Sequence, residues 1–251
     1  MPVHETAPSA AAGAFAAVLR EALAAARLAL RPEAEASLAQ HFALVLEANR
    51  RLNLTAIVEP REAAAKHCAD SLAALLALDE AGGEGRAIDV GSGAGYPGIP
   101  LAVARPGWHW TVLDSKEKKA RFLEFAIAEL GLRNTRAQAG RAETLAQAAP
   151  WRDSFDAAIG RAIAPLGAVA EILLPFVRPG GTAIAMKGPS ERIDAGAREA
   201  LRRLGGGEPR SIEYALPFEL GRRSLIVIPK IAPTPKGFPR RPGMAAKHPL
   251  F

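Results

Sequence analysis

Cysteine is nearly absent from this chain of 251 residues, and Cys68 stands alone. One thiol cannot close an internal disulfide or build a cysteine metal cluster, so no metal is expected. That scarcity fits a reducing compartment, and the cytoplasm is the expected location. No uncharged run approaches the ~20 residues that a membrane helix needs, which leaves no expected membrane role. The first residues do not read as a signal peptide. Glu5 comes early, and the apolar run from Ala14 to Leu30 is interrupted by Arg20, Glu21 and Arg27. There is no internal repeat. Acidic residues are missing from the final stretch, residues 230–251, where Lys230, Lys236, Arg240, Arg241 and Lys247 are basic. That stretch supplies most of the net charge of +6. It reads as a mobile cationic tail suited to an anionic partner, nucleic acid first.

Hydrophobic residues make up 49% of the chain, enough for a true core. The length fits one generous domain with an appendage. Residues 1–13 are small and Ala-rich and are expected to be a disordered leader. Residues 14–85 read as a helical extension: a helix from Ala14 to Leu30, a second from Pro32 to about Asn49, an irregular link at Asn53-Leu54-Thr55, and a third from about Arg61 to Leu78. On the third, Lys66 with Asp70 and His67 with Ser71 are four apart and predict one shared exposed side. Residues 86–230 alternate strands and helices, which predicts a mostly parallel sheet covered on both faces. The last two strands, around Ser211–Leu216 and Ser224–Ile228, read as an antiparallel pair. Residues 231–251 are the basic, proline-rich tail. A monomer is expected, because no long exposed apolar helix is left over.

The organising stretch is Ala87-Ile88-Asp89-Val90-Gly91-Ser92-Gly93-Ala94-Gly95-Tyr96-Pro97-Gly98. It reads as a buried strand, a glycine loop and a helix start. Gly91, Gly93 and Gly95 permit the tight turn and let backbone approach a ligand. Pro97 suits the first helical turn. The loop amides and the helix start offer donors to a nucleotide-like ligand. A dinucleotide fingerprint fits Gly93 to Gly98 formally, but its first glycine should follow the strand directly, and Gly91 holds that place.

In an open α/β sheet, ligands bind beyond the carboxyl ends of the strands, so the residues after each strand carry the chemistry. After the second strand come Asp114, Ser115 and Lys116. Asp114 lies 19 residues past Gly95, where a carboxylate can accept both hydroxyls of an adenosine ribose. After the third come Ala142 and Glu143, placed to flank an adenine. After the fourth comes Arg161, beside the expected reaction point. After the fifth comes Lys187.

These motifs together resemble the bacterial small-subunit ribosomal RNA guanine-N7 methyltransferase family, also called glucose-inhibited division protein B. The resemblance runs from Asn53 into the tail. It rests on Asn53-Leu54-Thr55, Lys66-His67-Cys68-Ala69-Asp70-Ser71-Leu72, the glycine stretch through Leu101, Leu113-Asp114-Ser115-Lys116, Arg141-Ala142-Glu143, Arg161-Ala162 and Met186-Lys187-Gly188. It implies a class I S-adenosylmethionine (SAM)-dependent, Rossmann-like fold with a mostly parallel seven-stranded sheet. It implies that Gly91, Tyr96, Asp114, Ser115, Lys116, Ala142, Glu143 and Arg161 contact SAM. Its substrate would be 16S ribosomal RNA or the small subunit. Tyr96 stands where Phe or Leu is frequent, and Gly160 where Ser often precedes the arginine.

What is missing narrows the target. Methylation of an exocyclic amine typically goes with an Asn/Asp-Pro-Pro-aromatic motif after strand four, and here that place reads Gly160-Arg161-Ala162-Ile163. Pyrimidine C5 chemistry needs a nucleophilic cysteine, and Cys68 precedes the cofactor motif and reads as packing. Guanine N7 has an exposed lone pair and needs no prior deprotonation. A ring nitrogen is favoured by elimination. Arg161 is the candidate catalytic residue, orienting guanine or the methionine carboxylate. His67, Lys187, Arg240, Arg241 and Lys247 are candidate RNA contacts. The rivals are a methyltransferase with a small-molecule or protein substrate or another RNA position, an NAD-dependent oxidoreductase, and a silent SAM-binding module.

Overall fold

The computed structural model describes residues 7–161, 165–189 and 193–251. Its centre is one seven-stranded sheet in the order β3-β2-β1-β4-β5-β7-β6. The strands are β1 (Gly85–Val90), β2 (Trp108–Asp114), β3 (Thr135–Ala139), β4 (Phe155–Arg161), β5 (Val177–Lys187), β6 (Arg210–Ala215) and β7 (Arg222–Pro229). β1 to β5 pair in parallel, while β7 runs antiparallel between β5 and β6. The strand order reverses between β1 and β4, so a cleft opens at their carboxyl ends.

Alternation along the strands divides the core. Ala87 of β1 packs with the amino-terminal helices, while Ile88 and Val90 pack on the opposite face. The first face is covered by α1 (Ala7–Ala25), α2 (Pro32–Leu52), the helix over residues 60–78 (α3), α4 (Gly98–Ala104) and α5 (Glu117–Glu129). The short α6 (Ala142–Leu145) follows β3. The second face is covered by α7 (Leu166–Leu173), α8 (Ala195–Arg203) and the carboxyl-terminal segment with α9 (Met244–Lys247).

Local chemistry explains the leader. Pro32 opens α2, Glu33 and Glu35 lie in its first turn, and Arg50 and Arg51 lie in its last, all favourable to the helix dipole. Asn53 ends it in the left-handed conformation, with φ 48°. The link after it is irregular, as expected, and is tied down by side-chain bonds. Asn49 Oδ1 accepts from the Leu54 and Thr55 amides at 2.6 and 2.9 Å, and its Nδ2 donates to the Thr55 carbonyl at 2.9 Å. α3 starts at Pro60 under a Glu59 cap and widens to a π-helix over Ala64–Ala69.

Three expectations are corrected. The segment expected to be disordered up to residue 13 is helical from Ala7, because alanine is the strongest helix former; residues 1–6 lie outside the described residues. The side of α3 that carries His67, Asp70 and Ser71 is buried, not exposed, since it faces the cleft end of the sheet. The tail is not a mobile arm. It packs on α7, where Arg240 forms a bidentate ion pair with the fully buried Glu171 at 2.6–3.1 Å. Arg152 also donates to the Phe238 and Pro235 carbonyls at 2.9 and 3.1 Å. The helix expected from Ser190 is described only from Ala195, and Ala162-Ile163 and residues 190–192 lie outside the described residues.

Candidate active site

The glycine loop is built by its neighbours. The amides of Gly91 and Ser92 donate to the Leu113 carbonyl at 2.8 and 3.0 Å, tying the loop to the end of β2. Gly95 has φ 95°, and a Cβ there would sit 2.6 Å from Ile99 and 2.9 Å from His41. A Cβ on Gly98 would sit 2.5 Å from Val112 and 2.7 Å from Asp89. Asp89 caps the first turn of α4: its Oδ2 accepts from the Gly98 amide at 2.8 Å and from the Ser92 hydroxyl. Its Oδ1 is buried without a partner. Burial pushes this carboxyl up to about 6, against the pull of the Ser92 and Gly98 bonds. Pro97 precedes α4 as its cap residue and is not its first helical position.

Asp114 stands at the same rim. Its Oδ2 accepts from the Gly93 amide at 3.0 Å and its Oδ1 from the Lys116 amide at 2.8 Å. Each carboxylate oxygen keeps accepting capacity after one such bond. Ser115 and Lys116 are exposed beside it. Ala142 and Glu143 open α6 after β3, and Glu143 Oε1 accepts from the Gly243 amide of the tail at 2.9 Å. Gly91, Gly93, Gly95, Asp114 and Glu143 therefore gather at the carboxyl ends of β1, β2 and β3, as the spacing predicts.

Tyr96 behaves differently. Its ring turns inward and packs on His67 (centroids 4.4 Å apart, planes at 10°) and on His41 (4.7 Å). What the loop offers to a ligand at Tyr96 is backbone. His41 Nε2 donates to the Ala94 carbonyl at 2.9 Å, which leaves a buried Nδ1 without a partner. Burial lowers His41 to about 4. Burial, then the Arg161 charge, then His41 lower His67 to about 3. Both rings are neutral at pH 7. Cys68 is buried, which pushes its thiol up to about 12, so it is a packing residue and not a nucleophile.

Arg161, at the end of β4, is held by the leader. Its Nη1 donates to the Lys66 carbonyl at 2.8 Å and to Asp70 Oδ2 at 3.1 Å. The Tyr214 hydroxyl, from β6, donates to Asp70 Oδ1 at 2.6 Å. Asp70 is thus a buried bridge between the helical leader, β4 and the edge strand. Lys66, His67, Asp70, Arg161, Lys187 and Arg223 line a cleft of about 660 Å³ beside the glycine loop. The sequence reading missed His41, Asp89 and Tyr214 as site residues. Asp89 carried a signal, an acid within the buried apolar run from Ala87 to Val90; Tyr214 carried none.

The strand order with one antiparallel strand, the glycine loop after β1 and the acid after β2 define a class I SAM-dependent methyltransferase, with SAM as its cofactor. Within that class, the chain belongs to the family of rRNA small subunit methyltransferase G, whose model matches residues 34–217. It is 44% identical to ribosomal RNA small subunit methyltransferase G of Pelotomaculum thermopropionicum over 84% of this chain and 88% of that one. It is 44% identical to the Deinococcus radiodurans protein of the same name, over 86% of each chain. With the Symbiobacterium thermophilum protein it shares 42% identity over 95% of this chain and 99% of that one.

Among the described residues, no group of three or more His, Cys, Asp or Glu side chains could hold a metal ion, and no helix is long and apolar enough to cross a membrane.

Proposed function

We propose that the protein transfers a methyl group from SAM to N7 of a guanine in 16S ribosomal RNA, with the assembled small subunit or its RNA as substrate. The observation that carries this reading is the cleft beside the glycine loop. Lys66, Arg161, Lys187 and Arg223 line it, while its one lining carboxylate, Asp70, is engaged by Arg161 and Tyr214. Such a site attracts a polyanion and contains no strong general base, since His67 near 3 is too weak a base to deprotonate an amine. N7 needs none.

SAM brings an activated methyl on a sulfonium. The chain supplies alignment. Gly91, Gly93 and Gly95 would cradle the methionine end, Asp114 would accept from the ribose with Ser115 and Lys116 at the rim, and Ala142 and Glu143 would border the adenine. Arg161, whose Nη1 is held by Lys66 and Asp70, would orient guanine O6 or the methionine carboxylate with its guanidinium fork. Lys187 would meet RNA phosphate, as would the exposed Arg241 and Lys247. Arg240 is committed to Glu171, and His67 acts by supporting Tyr96. A monomer fits the separate positions in the chain of the exposed large apolar residues Val58, Leu76, Phe125, Ile231 and Met244, and a ribosomal RNA substrate implies the cytoplasm.

The test is methyl transfer to unmodified small-subunit RNA and to assembled subunits, followed by nucleoside mass spectrometry. A 7-methylguanosine peak is expected. Any other methylated nucleoside would overturn the assignment of the target atom.

A further inference from the structure

A second cationic site lies at the opposite end of the same strands. β1 and β2 pair Arg86 with His109, and β2 and β3 pair Thr111 with Arg136. Side chains on a strand alternate, so Arg86, His109, Thr111 and Arg136 share one face, at the amino-terminal ends of three neighbouring strands. Arg133 joins them from the turn before β3. Together they line a groove of about 230 Å³ that contains no acidic residue.

The arginines are arranged in an unusual way for surface charges. Arg86 lies over the Phe155 ring at 5.2 Å, and Arg136 lies over Trp151 at 5.2 Å. Arg136 Nε also donates to Thr111 Oγ1 at 3.1 Å. Stacking on an aromatic face fixes a guanidinium plane while its N–H edge stays available. Among the described residues, Arg86, Arg133 and Arg136 form no ion pair, although 14 ion pairs occur elsewhere. Asp156, which accepts from the Arg86 amide at 2.7 Å, is held by Arg178 at 2.6 Å.

We propose that this groove is a second RNA-docking surface, which takes the phosphate backbone of a ribosomal RNA segment other than the one carrying the target base. Charge complementarity selects the partner: pre-positioned guanidinium forks with no protein anion suit consecutive phosphates. Distance separates the segments. From His109 to Asp114 along β2 is about 16 Å, at about 3.3 Å per residue, farther than one nucleotide reaches. The groove thus favours a folded RNA or an assembled subunit over a short target strand. The inference rests on the RNA reading of the cleft.

The full chain carrying Arg86→Gln, Arg133→Gln and Arg136→Gln tests it, with the assembled small subunit as substrate. KM for the subunit should rise about tenfold while kcat and the Kd for SAM stay within twofold. The slope of log binding constant against log salt should fall by about one for each phosphate that is no longer neutralised. Replacing the three arginines by lysine should restore most of the binding, because charge is kept. An unchanged KM and salt slope would overturn the proposal, as would a groove that captures AMP or inorganic phosphate with no effect on the subunit KM. If the triple variant melts early, Arg133→Gln alone serves, since that side chain lies in the turn before β3 and forms no ion pair within the fold, and a twofold to threefold rise in KM is expected. A wild-type protein that binds subunits but makes no 7-methylguanosine would instead sink the reading of the active site, and direct binding would still decide the groove.

Discussion

The two ends of the central strands carry the same kinds of side chain in opposite states. At the carboxyl ends, beside the cleft cations Lys187 and Arg223, three charges are committed. Arg161 is held by Asp70 and Lys66, Asp114 by two loop amides, and Asp89 by Ser92 and Gly98. At the amino ends Arg86, Arg133 and Arg136 are exposed and, among the described residues, without ion pairs. The difference separates positioning from attraction. A reacting geometry needs charges that cannot move, because small displacements are costly there. A docking surface needs charges whose N–H edges still face the solvent.

The sharpest way to break this contrast is to remove the arginine held at the carboxyl end of β4. Arg161→Ala should lower turnover about a hundredfold, the usual scale for one oriented donor in a reacting site. Single-turnover methyl transfer measures it, and wild-type turnover with unchanged SAM affinity would show that the held arginine does nothing for the reaction. Next comes its holder. Asp70→Asn should lower turnover about tenfold with SAM affinity little changed. If Asp70 acts through Arg161, the double variant should be no worse than Arg161→Ala alone; additive losses would give Asp70 a separate role.

Acid sharpens the contrast further. His41 and His67 are held below their ordinary range when folded, at about 4 and about 3, against 6.5. Between those values and 6.5 the unfolded chain binds more protons, so stability should fall as the pH drops below 6.5. Asp89 works the other way, because its raised value favours the protonated fold below about 6. Urea unfolding from pH 7 to pH 4 should therefore show a net loss that is smaller in His41→Gln. The smallest effect belongs to the other end. Arg133→Gln should leave stability within about 0.5 kcal/mol, as exposed substitutions usually do, and thermal melting checks it.

Much of this was legible in the sequence. Glycine spacing after β1, Asp114 after β2 and Glu143 after β3 place themselves, because chain order and strand ends fix where they must meet. The docking of the leader was not legible. Helical periodicity puts Asp70 and His67 on one side of α3 but does not say that this side is covered. The tail misled for a related reason. Basic residues read as solvated until a buried acid is found for one of them. A signal was present: Glu171 interrupts the apolar run from Leu166 to Phe176, and a buried acid there needs a cation. Tyr214 was beyond reach, since strand alternation gives a face and never a partner so distant in sequence.

That distance has a kinetic meaning. The Tyr214–Asp70 bond joins residues 144 positions apart, and it depends on the β6–β7 hairpin closing the edge of the sheet. Closing so long a loop is slow and follows the local steps of folding. The glycine loop and Asp114, which we propose take the cofactor, are complete once β1 and β2 have formed. The chain lacks the hydroxyl that steadies Asp70 until its last strands have paired. Cofactor affinity should therefore return before methylating competence during refolding, and a time course in which SAM binding and methyl transfer recover together would contradict this.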